Sequence, residues 1–130
     1  MPFLVDTDWI IHSLRGRSDI TTKLEEIAVE GLAISIASVA ELYEGIYYSR
    51  DPVAAEATFD RFRRGVRVLG IDEQVTRIFG RERGRLRNLR KLIGDLDLLI
   101  GATALRHDLT LLTNNRRHFE LLEKLRIVSL

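Results

Sequence analysis

Five short apolar runs, each too brief to make a buried helix and each separated from the next by a longer amphipathic stretch, constrain this chain more than any other feature. They are "FLV" near the start, "LAISIA" (Leu32 to Ala37), "VRVLGI" (Val66 to Ile71), "LTLLT" (Leu109 to Thr113) and "RIVSL" at the end. Runs of this length read as strands, and the stretches between them carry helical spacing. In "ITTKLEEIAVEG", Ile20, Leu24 and Ile27 share one helical face and Gly31 is placed to end the helix. Asp51-Pro52 reads as an N-cap with proline at the first helical position. Asp72 opens a helix running to about Leu92, and "LDLLIGATAL" is apolar almost all round, as suits a fully buried helix. Strands alternating with helices imply βαβ crossovers. The expected fold is a three-layer α/β/α sandwich with a mostly parallel central sheet, formed as one domain over residues 1–130. A chain of this length buries a working core without disulfides or metal staples.

Open parallel sheets bind ligands at the carboxyl ends of their strands, so the polar residues behind each apolar run are the candidates for chemistry. Asp6 follows the first run, Ser38 and Glu41 the second, and Asn114 and Asn115 the fourth, while Asp95 and Asp97 begin the apolar helix. Each admits a plain structural reading. Asp6 can cap the helix beginning near Asp8. Ser38-Val-Ala-Glu41 fits a capping box in which Glu41 reaches back to the backbone of Ser38. Asn115 can cap the last helix, and Asp95 is assigned to a cap. Asp97 resists such a reading, because Leu96, Leu98, Leu99 and Ile100 surround it and a carboxylate buried among them needs a cation or several donors. His118 reads as a loop or surface histidine, and Trp9 as a core or interface residue.

Composition narrows the chemistry. There is no cysteine, which removes disulfide frameworks, thiolate zinc sites and cysteine nucleophiles together. The three histidines lack the spacing of a helical zinc site. No apolar run reaches membrane-spanning length and no basic-then-apolar leader opens the chain, so a cytoplasmic location without membrane contact is expected. Net charge is only +1, yet 17 of the 20 basic residues are arginine, whose planar fork suits phosphate. They concentrate in "TRIFGRERGRLRNLRKL", where Arg77, Arg81 and Arg85 recur every fourth residue, Arg83, Arg87, Arg90 and Lys91 extend the polar side, and only Glu82 interrupts. Ile78, Phe79, Leu86, Leu89 and Ile93 make the side expected to be buried. Such a stripe is either a solvated helix face or a footprint for phosphate backbone, with Arg81, Arg85 and Arg87 the candidates for nucleic-acid phosphates.

Three carboxylates in one pocket repel one another unless a cation neutralises them, and a hard divalent ion such as Mg²⁺, or Mn²⁺, is the natural compensator. The residues that carry this reading also carry a family pattern. "FLVDTDWII" with Asp6, "ISIASVAELYEGI" with Glu41, "IGDLDLLIGATALRHDLTLLTNNRRHF" with Asp97 and Asn115, and the closing "RIVSL" together resemble the PIN domain and, within it, the VapC-type ribonuclease toxins of toxin–antitoxin pairs. The resemblance covers nearly the whole chain, and its third stretch is the most specific. It implies a Mg²⁺-dependent endoribonuclease in which Asp6, Glu41 and Asp97 form the acidic metal site and Asn115 completes the catalytic set. It implies that Asp6 and Asp97 hold the ion and that Glu41 helps bind it or acts as general base. It also implies a cognate antitoxin covering the acidic pocket and a homodimer, for whose contacts Trp9, Tyr43, Tyr47 and Tyr48 are candidates. Many PIN proteins carry aspartate where this chain has Asn115, and an amide adds no charge for a second ion. Two other readings stand beside it. One is a PIN-fold module that binds RNA without cleaving it. The other is a haloacid-dehalogenase-like phosphatase suggested by the D-x-D of "VDTD", which lacks a suitably placed lysine and gives Glu41 no role.

Overall fold

The structure is a computed structural model, and it describes residues 2–130. Five strands form one sheet: β1 (Phe3–Val5), β2 (Leu32–Ser35), β3 (Arg67–Leu69), β4 (Thr110–Leu112) and β5 (Ile127–Val128). Their order is β3-β2-β1-β4-β5 and every pairing is parallel, so the sheet is wholly rather than mostly parallel. The chain winds outward from β1 in one direction through β2 and β3 and in the other through β4 and β5. β1 and β4 therefore flank the point where the winding reverses, and their carboxyl ends open the crevice in which such sheets bind ligands.

Alternate strand residues supply opposite faces. Leu4, Ala33 and Leu111 pack on one side with Leu86, Leu98, Ile100 and Phe119. Val5, Ile34 and Leu112 pack on the other with Trp9, Ile10, Ile20, Leu42 and Phe59. The second face is covered by α1 (Thr7–Leu14), α2 (Ser18–Ile27), α3 (Ile36–Tyr48) and α4 (Pro52–Arg63). The first is covered by α5 (Glu73–Asn88), α6 (Asp95–Arg106) and the short α7 (Arg116–Phe119). With both faces covered, strand residues on both sides are apolar, which is why the runs read as continuous rather than alternating.

The helix ends follow their chemistry. Asp51 and Asp72 cap α4 and α5 through Ala54 N–H and Val75 N–H at 3.1 and 2.9 Å. α2 relaxes into a 3₁₀ turn over Ala28–Glu30 before Gly31, whose φ of 94° turns the chain into β2. α5 stops at Asn88 rather than near Leu92, because Arg90 adopts a φ of 57° and the Lys91 amide bonds back to the Leu86 carbonyl at 2.9 Å. Leu89 is consequently 55 % exposed and leaves the buried side expected for it. α6 is buried along most of its length, and a Cβ on Gly101 would meet Leu122 Cδ1 at 2.2 Å.

Candidate active site

The site is built where β1 and β4 end. Asp6 leaves β1 as the N-cap of α1 and is almost fully buried. Its Oδ1 accepts the Thr7 amide at 2.8 Å, and its Oδ2 accepts the Thr113 hydroxyl at 2.7 Å. Capping and a place in the pocket are thus one role for Asp6, not alternatives. Both donors are neutral. Burial, followed by the negative charge of neighbouring Asp8, pushes the Asp6 carboxyl up to about 8 against the partial opposition of those two bonds. Asp8 itself accepts the Asn114 amide through Oδ2 at 3.3 Å, while its Oδ1 is buried without a hydrogen-bond partner.

Glu41 arrives from α3. The cap of that helix is Ser35, whose hydroxyl accepts the Ala37 amide at 3.0 Å, so β2 ends at Ser35 and the capping box expected from Ser38 to Glu41 does not form. Ser38 is instead buried inside the helix against Thr7, with 3.0 Å between the two hydroxyl oxygens. Glu41 Oε1 accepts the Thr7 hydroxyl at 2.7 Å. Burial raises the Glu41 carboxyl above its ordinary range, against that bond and together with the charges of Asp97, Glu44 and Asp8. The influence of Asp97 and Asp8 on Glu41 is the electrostatic signature of acids from three separate helices converging.

Asp97 sits in the first turn of α6, a quarter exposed rather than enclosed by its leucine neighbours, and its Oδ2 lies 3.2 Å from His118 Nδ1. Asn115 occupies the N-cap position of α7 without a capping bond; its side-chain amide meets the same His118 Nδ1 at 3.0 Å, and its backbone amide donates to Thr113 Oγ1 at 2.9 Å. Asp95 is not the cap of α6. Gly94 holds that position, and Asp95 is an exposed first-turn residue bonded to Arg83.

Three participants escaped the sequence reading. Thr7 and Thr113 orient the carboxylates, and His118 joins Asp97 to Asn115 instead of lying free on the surface. Thr7 and Thr113 each stand beside a strand end already singled out. Nothing local marked His118. Trp9 is fully buried and donates its indole N–H to Asn114 Oδ1 at 3.2 Å, so it belongs to the core and offers no exposed contact, whereas Tyr47 and Tyr48 are exposed. Arg81 and Arg87 lie on the exposed side of α5. Arg85 does not, because it pairs with Glu82 at 2.9 Å and donates to the Leu121 carbonyl at 2.6 Å, so it is taken from the phosphate-facing stripe.

Among the described residues, none of Asp6, Asp8, Glu41 and Asp97 pairs with an arginine or lysine. Oxygen donors in excess, an orphaned buried carboxylate oxygen and an Asp6 lifted to about 8 suit a hard divalent cation. No three acidic or imidazole groups among the described residues stand preassembled as a ligand set. The donor chemistry fits such an ion; the present side-chain arrangement is shaped by Thr7 and Thr113.

The PIN domain family matches residues 3–125. The chain is a PIN-domain protein of the VapC group. It is 36% identical over 118 residues to ribonuclease VapC19 of Mycobacterium tuberculosis, covering 89% of this chain and 90% of that one. It is 30% identical over 121 residues to ribonuclease VapC2 of Haemophilus influenzae, covering 92% and 91%. Among solved structures it resembles a chain of VapBC2 from Rickettsia felis bound to a promoter DNA fragment, with a TM-score of 0.94, 25% identity and coverage of 100% and 99%. Membership of this family sets aside the dehalogenase-like phosphatase. No helix among the described residues is long and apolar enough to cross a membrane.

Proposed function

We propose that this PIN-domain protein is a cation-dependent endoribonuclease and the toxin of a toxin–antitoxin pair. The observation that carries the reading is the set of carboxylates around the reversal point of the sheet that, among the described residues, pairs with no arginine or lysine, with Asp6 buried between neutral donors and lifted to about 8. Similarity to VapC ribonucleases over nine-tenths of the chain supports the substrate class.

Asp6 and Asp97 would hold Mg²⁺ or Mn²⁺, with Glu41 beside them. When bound, the cation offsets the charge of the pocket and of the phosphodiester and activates water for attack. The chain's own residues do the rest. Glu41, its carboxyl raised by burial and neighbouring acids, takes the proton of the attacking water; a base lifted towards neutrality is better matched to that transfer. Thr7 fixes the Glu41 carboxylate through its hydroxyl, and Asn115 orients the reacting phosphate or water through its amide. Arg81 and Arg87 bind flanking phosphates from α5. The product ends are a 5′-phosphate and a 3′-hydroxyl.

A ribonuclease of this kind in the cytoplasm needs restraint. An open groove runs from Thr7 and Glu41 past Ile11 and Gly45 to the exposed Tyr47 and Tyr48. Its walls are largely apolar and carry two acids, Glu41 and Glu44, which suits an antitoxin segment with apolar anchors and a basic residue reaching the pocket. The toxin acts as a homodimer.

The test is cleavage of total cellular RNA by the purified chain in Mg²⁺ or Mn²⁺ and in EDTA, with Asp97→Asn alongside. Cation-dependent cuts at a few discrete sites, absent in the folded variant, are expected. RNA binding without cleavage in any of these conditions would favour a catalytically silent module and overturn the enzyme reading.

A further inference from the structure

His118 lies on a four-residue helix between the exposed Arg117 and the buried Phe119. Its Nδ1 lies within hydrogen-bond distance of two groups from different elements: Asp97 Oδ2 at the start of α6 (3.2 Å) and the side-chain amide of Asn115 at the end of the β4 segment (3.0 Å). Those residues are 21 and 3 positions away in sequence, so the imidazole is the direct link between the α6 contribution and the β4 contribution.

One ring nitrogen cannot accept from an amide N–H and also serve an ionised carboxylate, which only accepts. The carboxylate decides the conflict. Asp97 requires a proton on Nδ1, and Asn115 must then present its carbonyl oxygen to the same N–H. The structure places the Asn115 Nδ2 atom nearest the ring, and exchanging amide O and N, an assignment set by the hydrogen-bond network, is what makes both contacts hydrogen bonds. The result is a Nδ1–H that holds the Asp97 carboxylate and the Asn115 carbonyl together and leaves the Asn115 NH₂ free to act as a donor.

We propose that His118 is a positioning residue: through Nδ1–H it sets the orientation of the Asp97 carboxylate and of the Asn115 amide. This rests on the reading of Asp97 and Asn115 as site residues given above. A partner that fixes a ligating carboxylate typically changes metal affinity or activity by roughly 10- to 100-fold when it is lost. The requirement is for a donor at the Nδ1 position, not for an imidazole as such. Asparagine places an amide N–H near Nδ1 of the ring it replaces, whereas glutamine places one near Nε2.

The experiment compares wild type with His118→Asn, His118→Gln and His118→Ala. It measures Mn²⁺ affinity by water-proton relaxation, thermal stability, and kcat and KM on an RNA containing one cut site. The ¹⁵N spectrum of the wild-type ring provides a separate readout. The Nδ1–H tautomer is expected in that spectrum. His118→Ala and His118→Gln should weaken Mn²⁺ binding about tenfold and lower kcat with little change in KM, while His118→Asn stays within about threefold of wild type. An Nε2–H tautomer, or asparagine behaving no better than glutamine, overturns the assignment. Equal losses in all three variants that track melting temperature would mean a packing role and overturn it equally. Wild type that binds no Mn²⁺ and cleaves nothing would instead remove the enzyme reading on which the proposal depends.

Discussion

Two buried carboxylates in this fold receive opposite treatment. Glu82, on α5, is 4 % exposed, and its burial alone would raise its pKa; the Arg85 guanidinium and the Glu123 amide more than reverse that and hold it below the usual range. Asp6, at the end of β1, is 3 % exposed but has only a backbone amide, a hydroxyl and a second carboxylate for company. One acid carries its own counter-ion and ties α5 to the segment around residues 121–123. The other is left uncompensated in a crevice at the sheet's reversal point. Burial by itself therefore does not separate Glu82 from the proposed site acid Asp6; the source of the compensating charge does.

The largest loss of stability is expected at Glu82. Glu82→Ala leaves Arg85 partly buried without its main partner, and chemical denaturation should report a loss of about 3 kcal/mol with RNA cleavage per folded molecule unchanged. A loss of cleavage at unchanged stability would place Glu82 in the site after all.

Asp6→Asn should do the reverse. Its carboxyl rises from 3.8 to about 8 on folding, so the folded state favours the protonated form. That contribution to stability is complete below about pH 4 and is lost as pH climbs towards about 8. Asparagine keeps a capping oxygen and cannot ionise. Without divalent cations the variant should be more stable than wild type at pH 8, by at most about 5 kcal/mol, with the advantage vanishing near pH 4, while cleavage is abolished. A destabilised variant at pH 8 would mean that the Thr113 and Thr7 bonds outweigh the buried charge.

The same asymmetry sharpens with added cation. Mg²⁺ and protons compete for the Asp6 carboxylate, so the rise in melting temperature on adding Mg²⁺ should grow between pH 6 and pH 8.5 in wild type and be nearly absent in Asp6→Asn. The smallest effects belong to the exposed arginines. Arg81→Ala and Arg87→Ala should each weaken RNA binding and reduce the slope of log affinity against log salt by about 0.7, the increment for one phosphate contact on a single strand. Arg85→Ala should lower stability instead.

What the sequence made legible follows the same division. The acids behind strand ends were visible because a carboxylate after "FLV" or inside "LDLLIGATAL" conflicts with its apolar surroundings, and such conflict is local. The parallel sheet was legible because short apolar runs alternate with helical stretches, which leaves βαβ crossovers as the connection. The cap of α3 was misplaced because "LAISIAS" offers two serines three residues apart, and only pairing of Ser35 with Leu69 across the sheet shows which one ends the strand. Arg85 was grouped with the outward stripe because periodicity defines a face without naming what packs on it; Leu121, its carbonyl partner, lies 36 residues away. His118 was passed over because its meaning lies in Asp97, and only the folded chain brings β4 and α6 together.

Asp6 is buried without compensating charge, and the proposed function requires a cation to supply it. The most direct test is a ¹³C-detected titration of its carboxyl carbon, without divalent ions and again with saturating Mg²⁺, following Glu82 in the same spectra. The expected result is a midpoint near pH 8 for Asp6 in the first titration, a marked fall in the second, and a Glu82 midpoint below the ordinary range in both. An Asp6 midpoint near 4 without cations, or one near 8 that Mg²⁺ does not move, would contradict it.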